Sequence, residues 1–353
     1  MKVRLACAAV ALFAASTHVS SAAQPDNSVA PTASVQLATE ADMPDEVRVA
    51  LAAAPVVTEI LSVRGVEKFD GQILKVDELV LQRGATIELQ GLGYPWVAIV
   101  AKRVRFVDPN VTSLIRRDPS LQAGPAGSPG ASGAHGTDGQ REGRNGTPGT
   151  NGTAGANGAD GQTTHLPTVY IYAERFEAAG STAPLRQAKL TLDFVGLDGG
   201  AGGKGGDGGR GGRGGNGRDA SSGPFDCKAS AGNGGDGAHG ANGGAGGNGA
   251  AGGNGASLVF ISSQAGADLL SGGLINNEGG AAGAGAPGGA AGDRGRFGDG
   301  GSRSGYCRSR GVDGGWGSPG TAGVPGTNAT ARGERGRIHA IVVKKVEDYL
   351  STR

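Results

Sequence analysis

The sequence predicts a mainly β and non-regular fold, in which a small β-solenoid-like base carries three Gly-rich hairpin insertions that form a six-arm polyglycine II, or polyproline II (PPII), bundle. Three observations support this prediction. Glycine recurs at every third position in three long blocks, which matches the three residues per turn of PPII. Short runs rich in β-branched and aromatic residues separate the blocks, as expected for the strands of a base. Two cysteines fall where the glycine pattern breaks.

The composition restricts the folded core and the classes of partner. Glycine contributes 71 of the 353 residues and proline only 16, whereas collagen-like chains approach about one-third glycine and contain more proline. The formal net charge is +1, from 33 Lys and Arg against 32 Asp and Glu. This balance gives no reason to expect nucleic acid or an acidic membrane surface as a partner.

The N-terminus has the pattern of an export signal. Lys2 and Arg4 precede an apolar run over 5–15, and a small-residue cleavage site ends before Gln24. We therefore predict that 1–23 is a signal peptide and that the protein is secreted, periplasmic or located at the cell surface. No other segment approaches the roughly 18 continuous apolar residues of a membrane helix, so no transmembrane span is predicted.

The glycine blocks divide the rest of the chain. The predicted parts are a disordered N-terminal linker at 24–56 that could include a short capping helix over 44–53, a β-rich base at 57–123, 162–198 and 256–279, Gly-X-X arms 1 and 2 at 124–161, Gly-Gly-X arms 3 and 4 at 199–255, Gly-X-X arms 5 and 6 at 280–336, and a final β-strand with a C-terminal tail at 337–353.

The period of three explains how such arms can pair. Every third side chain of a PPII helix lies on the same edge, so each arm has one edge made only of glycine. An isolated PPII helix has no internal hydrogen bonds, and backbones without a Cβ can approach closely enough to exchange N–H···O bonds. Gly-Gly-X arms have two bare edges, as an arm in the middle of a bundle requires. The competing interpretation is a set of flexible Gly-rich linkers.

Between the blocks lie the runs that we assign to the base. They are 97–106, 169–176, 190–195, 258–262, 269–276 and 338–343, with 74–81 and 85–89 as an earlier hairpin or rung. Stacked rungs of this kind bury a continuous apolar stripe. We favour a parallel solenoid over a sandwich.

The two cysteines left after signal removal are Cys227 and Cys307, each in an interruption between two arms. If every block folds back as a hairpin, both lie at the same far end of the molecule. An exported protein meets an oxidising environment, so we predict a disulfide between them. Two free or intermolecular thiols are the alternative.

The Gly-X-X and Gly-Gly-X repeats of the three blocks resemble those of bacterial exported Gly-rich, collagen-like-repeat proteins. They are also similar to the polyglycine II bundles of springtail antifreeze proteins and of certain phage tail-tip adhesins. The resemblance covers about half of the mature chain and rests on the repeat type. Those relatives use the bundle as a rigid display surface for ice or for a cell-surface receptor, which implies a scaffold role here.

The leading functional hypothesis is a non-enzymatic structural or adhesive protein that presents a rigid Gly-rich bundle to an unknown surface ligand: a glycan, a protein or an ordered surface. Exposed aromatic and arginine side chains near the tips are the candidate contacts. They are Phe225, Tyr306, Trp316, Arg303, Arg308 and Arg310. Mutual packing of these aromatics into a small cap is the alternative.

Two other functions remain open. A column of small side chains in one triplet phase would suit ice or another ordered surface. Its members are Thr147, Thr150, Thr153, Ala156 and Ala159. A collagen-like homotrimer is disfavoured against a monomer because the triplet phase slips at 140–142.

The sequence predicts no enzyme, cofactor or metal site. No nucleophile, base and orienting group can be assembled from it, and the four histidines after the signal peptide lack metal-ligand spacing. We interpret those histidines as solvated or partly buried residues.

Overall fold

The computed structural model of the protein describes residues 36–38, 43–178 and 189–350. The signal peptide predicted at 1–23, most of the linker before Met43 and the last three residues of the tail lie outside these ranges. The described strands are β1 Gln36–Ala38, β2 Thr58–Val63, β3 Val66–Phe69, β4 Ile73–Leu81, β5 Thr86–Leu89, β6 Trp96–Phe106, β7 Ser113–Arg117, β8 Arg141–Glu142, β9 Asn145–Gly146, β10 Thr168–Ala178, β11 Leu190–Asp193, β12 Ser221–Ser222, β13 Cys227–Ala229, β14 Leu258–Ser262, β15 Leu274–Asn276 and β16 Ile338–Val342. The described helices are α1 Asp45–Ala53, α2 Gln264–Gly272 and α3 Val346–Tyr349.

Two parallel sheets organise the described residues. One has seven strands in the order β1-β16-β14-β10-β6-β4-β2, and the other has five in the order β15-β11-β7-β5-β3. From β2 to β7 the polypeptide alternates between the two sheets, and each strand pairs in parallel with the next strand of its own sheet. The short pairs β8-β9 and β12-β13 are antiparallel.

The central strands β6, β10 and β14 of the seven-stranded sheet contain consecutive buried residues on both faces, which explains their continuous apolar runs. In β6, Val97, Ile99 and Ala101 belong to a core cluster that also includes the strands of the five-stranded sheet. The alternate residues Ala98 and Val100 belong to a second cluster, with side chains from α1 and α3. The period of two along one strand therefore divides its side chains between two cores.

The predicted fold class is wrong. We predicted a small solenoid-like base and a six-arm PPII bundle as the main structure. The regular structure of the described residues is instead mainly two extended parallel sheets with few short helices. The physical reason is that the strands bury side chains on both faces. A modest number of large apolar residues consequently builds a larger β framework than the composition suggested.

Several predicted elements also change. The run 269–276 divides between α2 and β15. Of the two alternatives predicted for 74–81 and 85–89, a hairpin or a rung, the hairpin is wrong, because β4 and β5 belong to different sheets. Strands β2, β3 and β7 were not predicted individually. Within the range predicted as a disordered linker, β1 pairs with β16 and Met43 is buried.

The glycine-rich insertions leave one sheet and return to the other. They follow β7, β11 and β15 of the five-stranded sheet, and they precede β10, β14 and β16 of the seven-stranded sheet. Thr191 of β11 pairs with Leu274 of β15, and the same separation of 83 residues links Asp198 to Ala281 and Asp219 to Ser302 farther out. The register of β11 and β15 thus continues unchanged into the second and third insertions.

Candidate functional site

Six extended segments without regular helix or strand over most of their length make up the insertions. We number them in sequence order and call them together the glycine array. The first segment is 124–139, the second 146–161, the third 199–217, the fourth 232–255, the fifth 280–301 and the sixth 311–336.

Backbone hydrogen bonds arrange the array as two layers. In the layer of odd-numbered segments, Gly127 N–H of the first donates to the carbonyl of Ala201 of the third at 2.8 Å. Gly202 N–H of the third then donates to the carbonyl of Ala284 of the fifth at 2.9 Å. The even-numbered segments are joined in the same way, and in both layers the bonds recur every third residue.

Other glycines join the layers. Gly203 N–H donates to the carbonyl of Ala159 in the second segment at 2.8 Å, and the Gly203 carbonyl accepts from Gly247 N–H of the fourth at 2.8 Å. A Cβ on Gly203 would lie 2.1 Å from the carbonyl oxygen of Ser128 in the first segment. The third segment therefore contacts four neighbours, and its Gly-Gly-X sequence is a steric requirement.

Side chains on the outer faces of the array satisfy backbone groups of the adjacent segment. Asn233 Oδ1 accepts from Val312 N–H at 3.0 Å, and His239 Nδ1 accepts from Ser318 N–H at 2.9 Å. Equivalent acceptors are His135, Asp138, Asn145, Asn151, Asn157, Asp160, Asp198, Asp207, Asn216, Asp219, Asp236, Asn242, Asn248 and Asn254. Sequence reasoning missed this role, although at all of these positions except Asp219 the signal was present as Asn, Asp or His directly before a triplet glycine.

The far end of the array is closed by a disulfide between Cys227 and Cys307, with a Cα–Cα distance of 4.8 Å. Cys227 belongs to β13, and the Ser222 hydroxyl of the paired β12 donates to the carbonyl of Ser304. The tips of the second and third insertions are therefore joined covalently and by hydrogen bonding. We call residues 221–229 and 302–310 the tip.

The predicted contact residues divide between the tip and another location. Phe225 is 87% exposed and Tyr306 is 56% exposed, and both belong to the tip. Arg303 and Arg308 are also exposed there. Arg310 is engaged in an ion pair with Asp313, with Nη2 2.7 Å from Oδ1.

Trp316 lies on the side of the array formed by the fifth and sixth segments. Its ring meets Phe297 edge-on with centroids 5.2 Å apart, and the Arg294 guanidinium lies 4.5 Å from its centroid. Trp316 remains 52% exposed. Sequence reasoning missed Phe297 and Arg294, which antiparallel pairing of two triplet segments around a central turn would have placed opposite Trp316.

The small-residue column lies on the opposite side, where the first and second segments meet. Thr150, Thr153, Ala156 and Ala159 are exposed and Thr147 is half-buried. The threonine hydroxyls accept N–H groups of the first segment and of Gln140, which directly follows it. The accepting pairs are Thr147 with Gln140 at 2.9 Å, Thr150 with Thr137 at 2.7 Å and Thr153 with Ala134 at 2.7 Å.

The two broad faces of the array differ in charge. The outer columns of the odd-numbered layer include Lys204, Arg210, Arg213 and Arg296. The outer columns of the even-numbered layer take every third residue over 145–160, 233–254 and 312–327, and these positions contain no Lys or Arg. One broad face is consequently rich in Asn, and its charged side chains in these columns are the carboxylates Asp160 and Asp236.

Two outer carboxylates have shifted pKa values. The pKa of Asp207 is lowered, first by the N–H of Ala290 and then by Lys204. The pKa of Asp313 is lowered, first by the N–H of Gly300. Donation by a backbone N–H stabilises the ionised carboxylate, so these side chains accept their bonds as anions.

A separate cavity of about 220 Å³ lies beside α1 and α3. Lys75 Nζ donates there to the carbonyls of Leu51 and Ala52, at the end of α1, at 3.0 and 2.8 Å. Burial lowers the pKa of Lys75 and raises that of Glu174. Because the Lys75 ammonium of β4 donates to two carbonyls at the end of α1, we infer that this residue helps to hold α1 on the sheet.

In the part of the protein that the structure describes, no cluster of three or more His, Cys, Asp or Glu could hold a metal ion. Nor does any helix within these ranges combine the length and apolar character needed to cross a membrane.

Comparisons with known proteins give little guidance. No protein-family model matches the sequence, and no curated protein matches it. One solved structure is described as a springtail antifreeze protein from Granisotoma rainieri, a nine polyproline type II helical bundle whose crystal waters match the ice lattice. It is 24% identical, covers 57% of this protein and 97% of its own length, and has a TM-score of 0.10. A TM-score of 0.10 does not indicate a shared fold or function.

Proposed function

We propose that the protein is an exported, non-enzymatic structural or adhesive protein that presents the tip of its glycine array to a partner surface. The observation that supports this most directly is the tip itself. Two insertions end together at a disulfide, and two aromatic side chains project from that end with more than half of their surface exposed. A solvated aromatic surface carries a hydrophobic cost unless a partner covers it.

The array explains how the tip can be held away from the sheets. Each segment has few side chains that could form a core, so its order depends on backbone bonds to its neighbours. These bonds recur every third residue along each segment. Exposed Phe225 and Tyr306 beside Arg303 and Arg308 provide stacking surfaces and charged donors, which suit a glycan or a protein.

The test compares the full exported protein with a Phe225→Ser/Tyr306→Ser variant on arrays of immobilised glycans and proteins. We expect the wild type to bind a subset of spots and the variant to lose at least about tenfold in affinity. Val57→Ser/Val324→Ser is the matched control, because these exposed apolar residues lie outside the tip. Equal binding by wild type and tip variant, or no binding by either, would contradict the proposal.

Binding of ice or another ordered surface is a second candidate. It is favoured by the exposed Thr and Ala column and by the broad face without Lys or Arg. Thermal hysteresis of the purified, oxidised protein tests it. A Thr150→Lys/Thr153→Lys variant should reduce any hysteresis if the column is the contact, and a wild type without hysteresis would exclude this function.

A further inference from the structure

Eight Asn–Gly pairs occur in this sequence, and all eight lie in the glycine array or at its segment ends. Their asparagines are Asn145, Asn151, Asn157, Asn216, Asn233, Asn242, Asn248 and Asn254. In a flexible polypeptide the Asn–Gly pair is chemically labile, because glycine has no side chain to hinder approach of its backbone nitrogen to the preceding carboxamide.

The reaction requires two groups to meet. The glycine backbone nitrogen attacks Cγ of the asparagine, a new bond between these two atoms closes a succinimide, and the bond from Cγ to the amide nitrogen Nδ2 breaks. Ammonia leaves with the proton that the glycine N–H gave up. Water then opens the ring at either carbonyl and produces aspartate or isoaspartate.

The array engages both reacting groups at every one of the eight pairs. At Asn248, the N–H of Gly249 donates to the carbonyl of Thr327 at 3.0 Å, and Asn248 Oδ1 accepts from the N–H of Thr327 at 2.9 Å. At Asn242, the N–H of Gly243 donates to the carbonyl of Thr321 at 2.9 Å, and Asn242 Oδ1 accepts from the N–H of Thr321 at 2.9 Å.

The other pairs are engaged in the same way. The glycine that follows each asparagine donates its backbone N–H to a carbonyl of a neighbouring segment. These glycines are Gly146, Gly152, Gly158, Gly217, Gly234 and Gly255. The side-chain oxygen of each asparagine accepts a backbone N–H from the neighbouring segment, and these asparagines are Asn145, Asn151, Asn157, Asn216, Asn233 and Asn254.

We propose that these eight pairs are modification sites that the folded array protects, and that isoaspartate formation there makes unfolding of the array irreversible. The adjacent segment engages both the glycine N–H and the carboxamide oxygen in hydrogen bonds, so cyclisation must wait for local opening that breaks them. Isoaspartate inserts an additional backbone atom, which shifts the triplet phase and separates every later glycine from its acceptor. The inference does not depend on what the tip binds.

The aspartate product has a different effect. Asp160 and Asp236 occupy positions equivalent to the asparagines and make the same contact, with Oδ1 accepting N–H groups at 2.6 and 2.7 Å. An aspartate therefore preserves the bond, and only the isoaspartate branch damages the array.

The first experiment incubates the oxidised full protein, the same protein unfolded and reduced in urea, and a synthetic peptide spanning 240–250 in mildly alkaline buffer. Peptide mapping by mass spectrometry measures ammonia loss at Asn242 and Asn248. We expect loss in the folded protein to be at least about a hundredfold slower than in the other two samples, as expected for a reaction that requires opening. Equal rates in all three samples would overturn the proposal.

The second experiment tests irreversibility. Molecules that carry isoaspartate at Asn248, quantified by isoaspartyl methyltransferase labelling, are compared in refolding with the Asn248→Asp variant. Recovery of protected amides at Gly249 and Gly252 is the readout. We expect Asn248→Asp to refold like wild type and the isoaspartate form to fail there. Equal recovery by both would refute the claim that isoaspartate formation makes unfolding irreversible. The claim that the folded array slows the reaction is tested separately, by the first experiment.

Discussion

Two glycines in the sixth segment allow the steric requirement of the array to be measured with one substitution. A Cβ on Gly317 would lie 1.9 Å from the carbonyl oxygen of Ala238 in the fourth segment. A Cβ on Gly315 would meet only Asp236, with Oδ1 at an ordinary 3.4 Å. Gly315→Ala and Gly317→Ala have the same effect on the unfolded state, so their difference isolates the contact between segments.

The magnitude follows from the bonds that must break. To accept the methyl group at Gly317, the sixth segment must move away from the fourth. This movement breaks the bond from Gly317 N–H to the carbonyl of Gly295 and the two bonds from Gly237 and Gly240 of the fourth segment to the sixth. Three such bonds at about 1 kcal/mol each give about 3 kcal/mol of destabilisation. Gly315→Ala should instead stabilise by about 0.5 kcal/mol, through reduced entropy of the unfolded state.

Native-state amide exchange at Gly237 and Gly240, with urea unfolding of the whole protein, is the appropriate assay. We expect exchange at both amides to accelerate by about a hundredfold in Gly317→Ala, as about 3 kcal/mol of lost local stability requires. Exchange in Gly315→Ala should match wild type. Equal protection in the two variants would refute the steric account of the glycine repeat.

Three further predictions follow from other contacts. Cys227→Ser/Cys307→Ser should lower the free energy of unfolding by about 4 kcal/mol, because the disulfide closes a loop of 80 residues; an unchanged urea midpoint would contradict this. His239→Ala should increase exchange at Ser318, with a loss of about 1 kcal/mol, whereas His239→Asn should retain protection because it supplies an equivalent acceptor; equal exchange in both variants would show that the acceptor is irrelevant. The folded-state pKa of Asp207 is depressed by the N–H of Ala290, so its contribution to stability is present above the unfolded pKa and is lost as pH falls through the folded pKa. Carboxylate titration by NMR should place the Asp207 midpoint below its ordinary value, and Ala290→Pro, which removes the donor, should raise it; no movement would exclude the N–H as the cause.

The proposed role of the tip and the proposed chemistry of the Asn–Gly pairs depend on different parts of the molecule. Loss of Phe225 and Tyr306 changes the exposed end but not the bonds between segments. Oxidised array variants such as Gly317→Ala change those bonds but not the tip. Measuring both classes of variant in binding and in exchange therefore separates a failure of the scaffold from a failure of the contact surface.

Several features could be predicted from the sequence because they depend on local chemistry. The triplet phase of glycine marks where backbones approach, since a Cβ at Gly203 would overlap a neighbouring carbonyl. The runs that became β6, β10, β14 and β16 were recognisable from their β-branched and aromatic residues. The positions of Cys227 and Cys307 in the breaks of the pattern indicated a bridge, and the structure contains one.

Only the tertiary structure decided how these pieces combine. Our sequence prediction misjudged the relative extent of the sheets and the array. The local sequence of β6 does not show that alternate residues of this strand are buried in two different cores. Nor does local sequence show that Asn233 lies beside the N–H of Val312, since the two are 79 residues apart. Their proximity depends on how the fourth and sixth segments align, and this alignment differs by one residue from the separation of 80 between paired residues of β14 and β16. The triplet repeat determined which backbone edges can pair, and the tertiary structure determined which segments meet and at which residues.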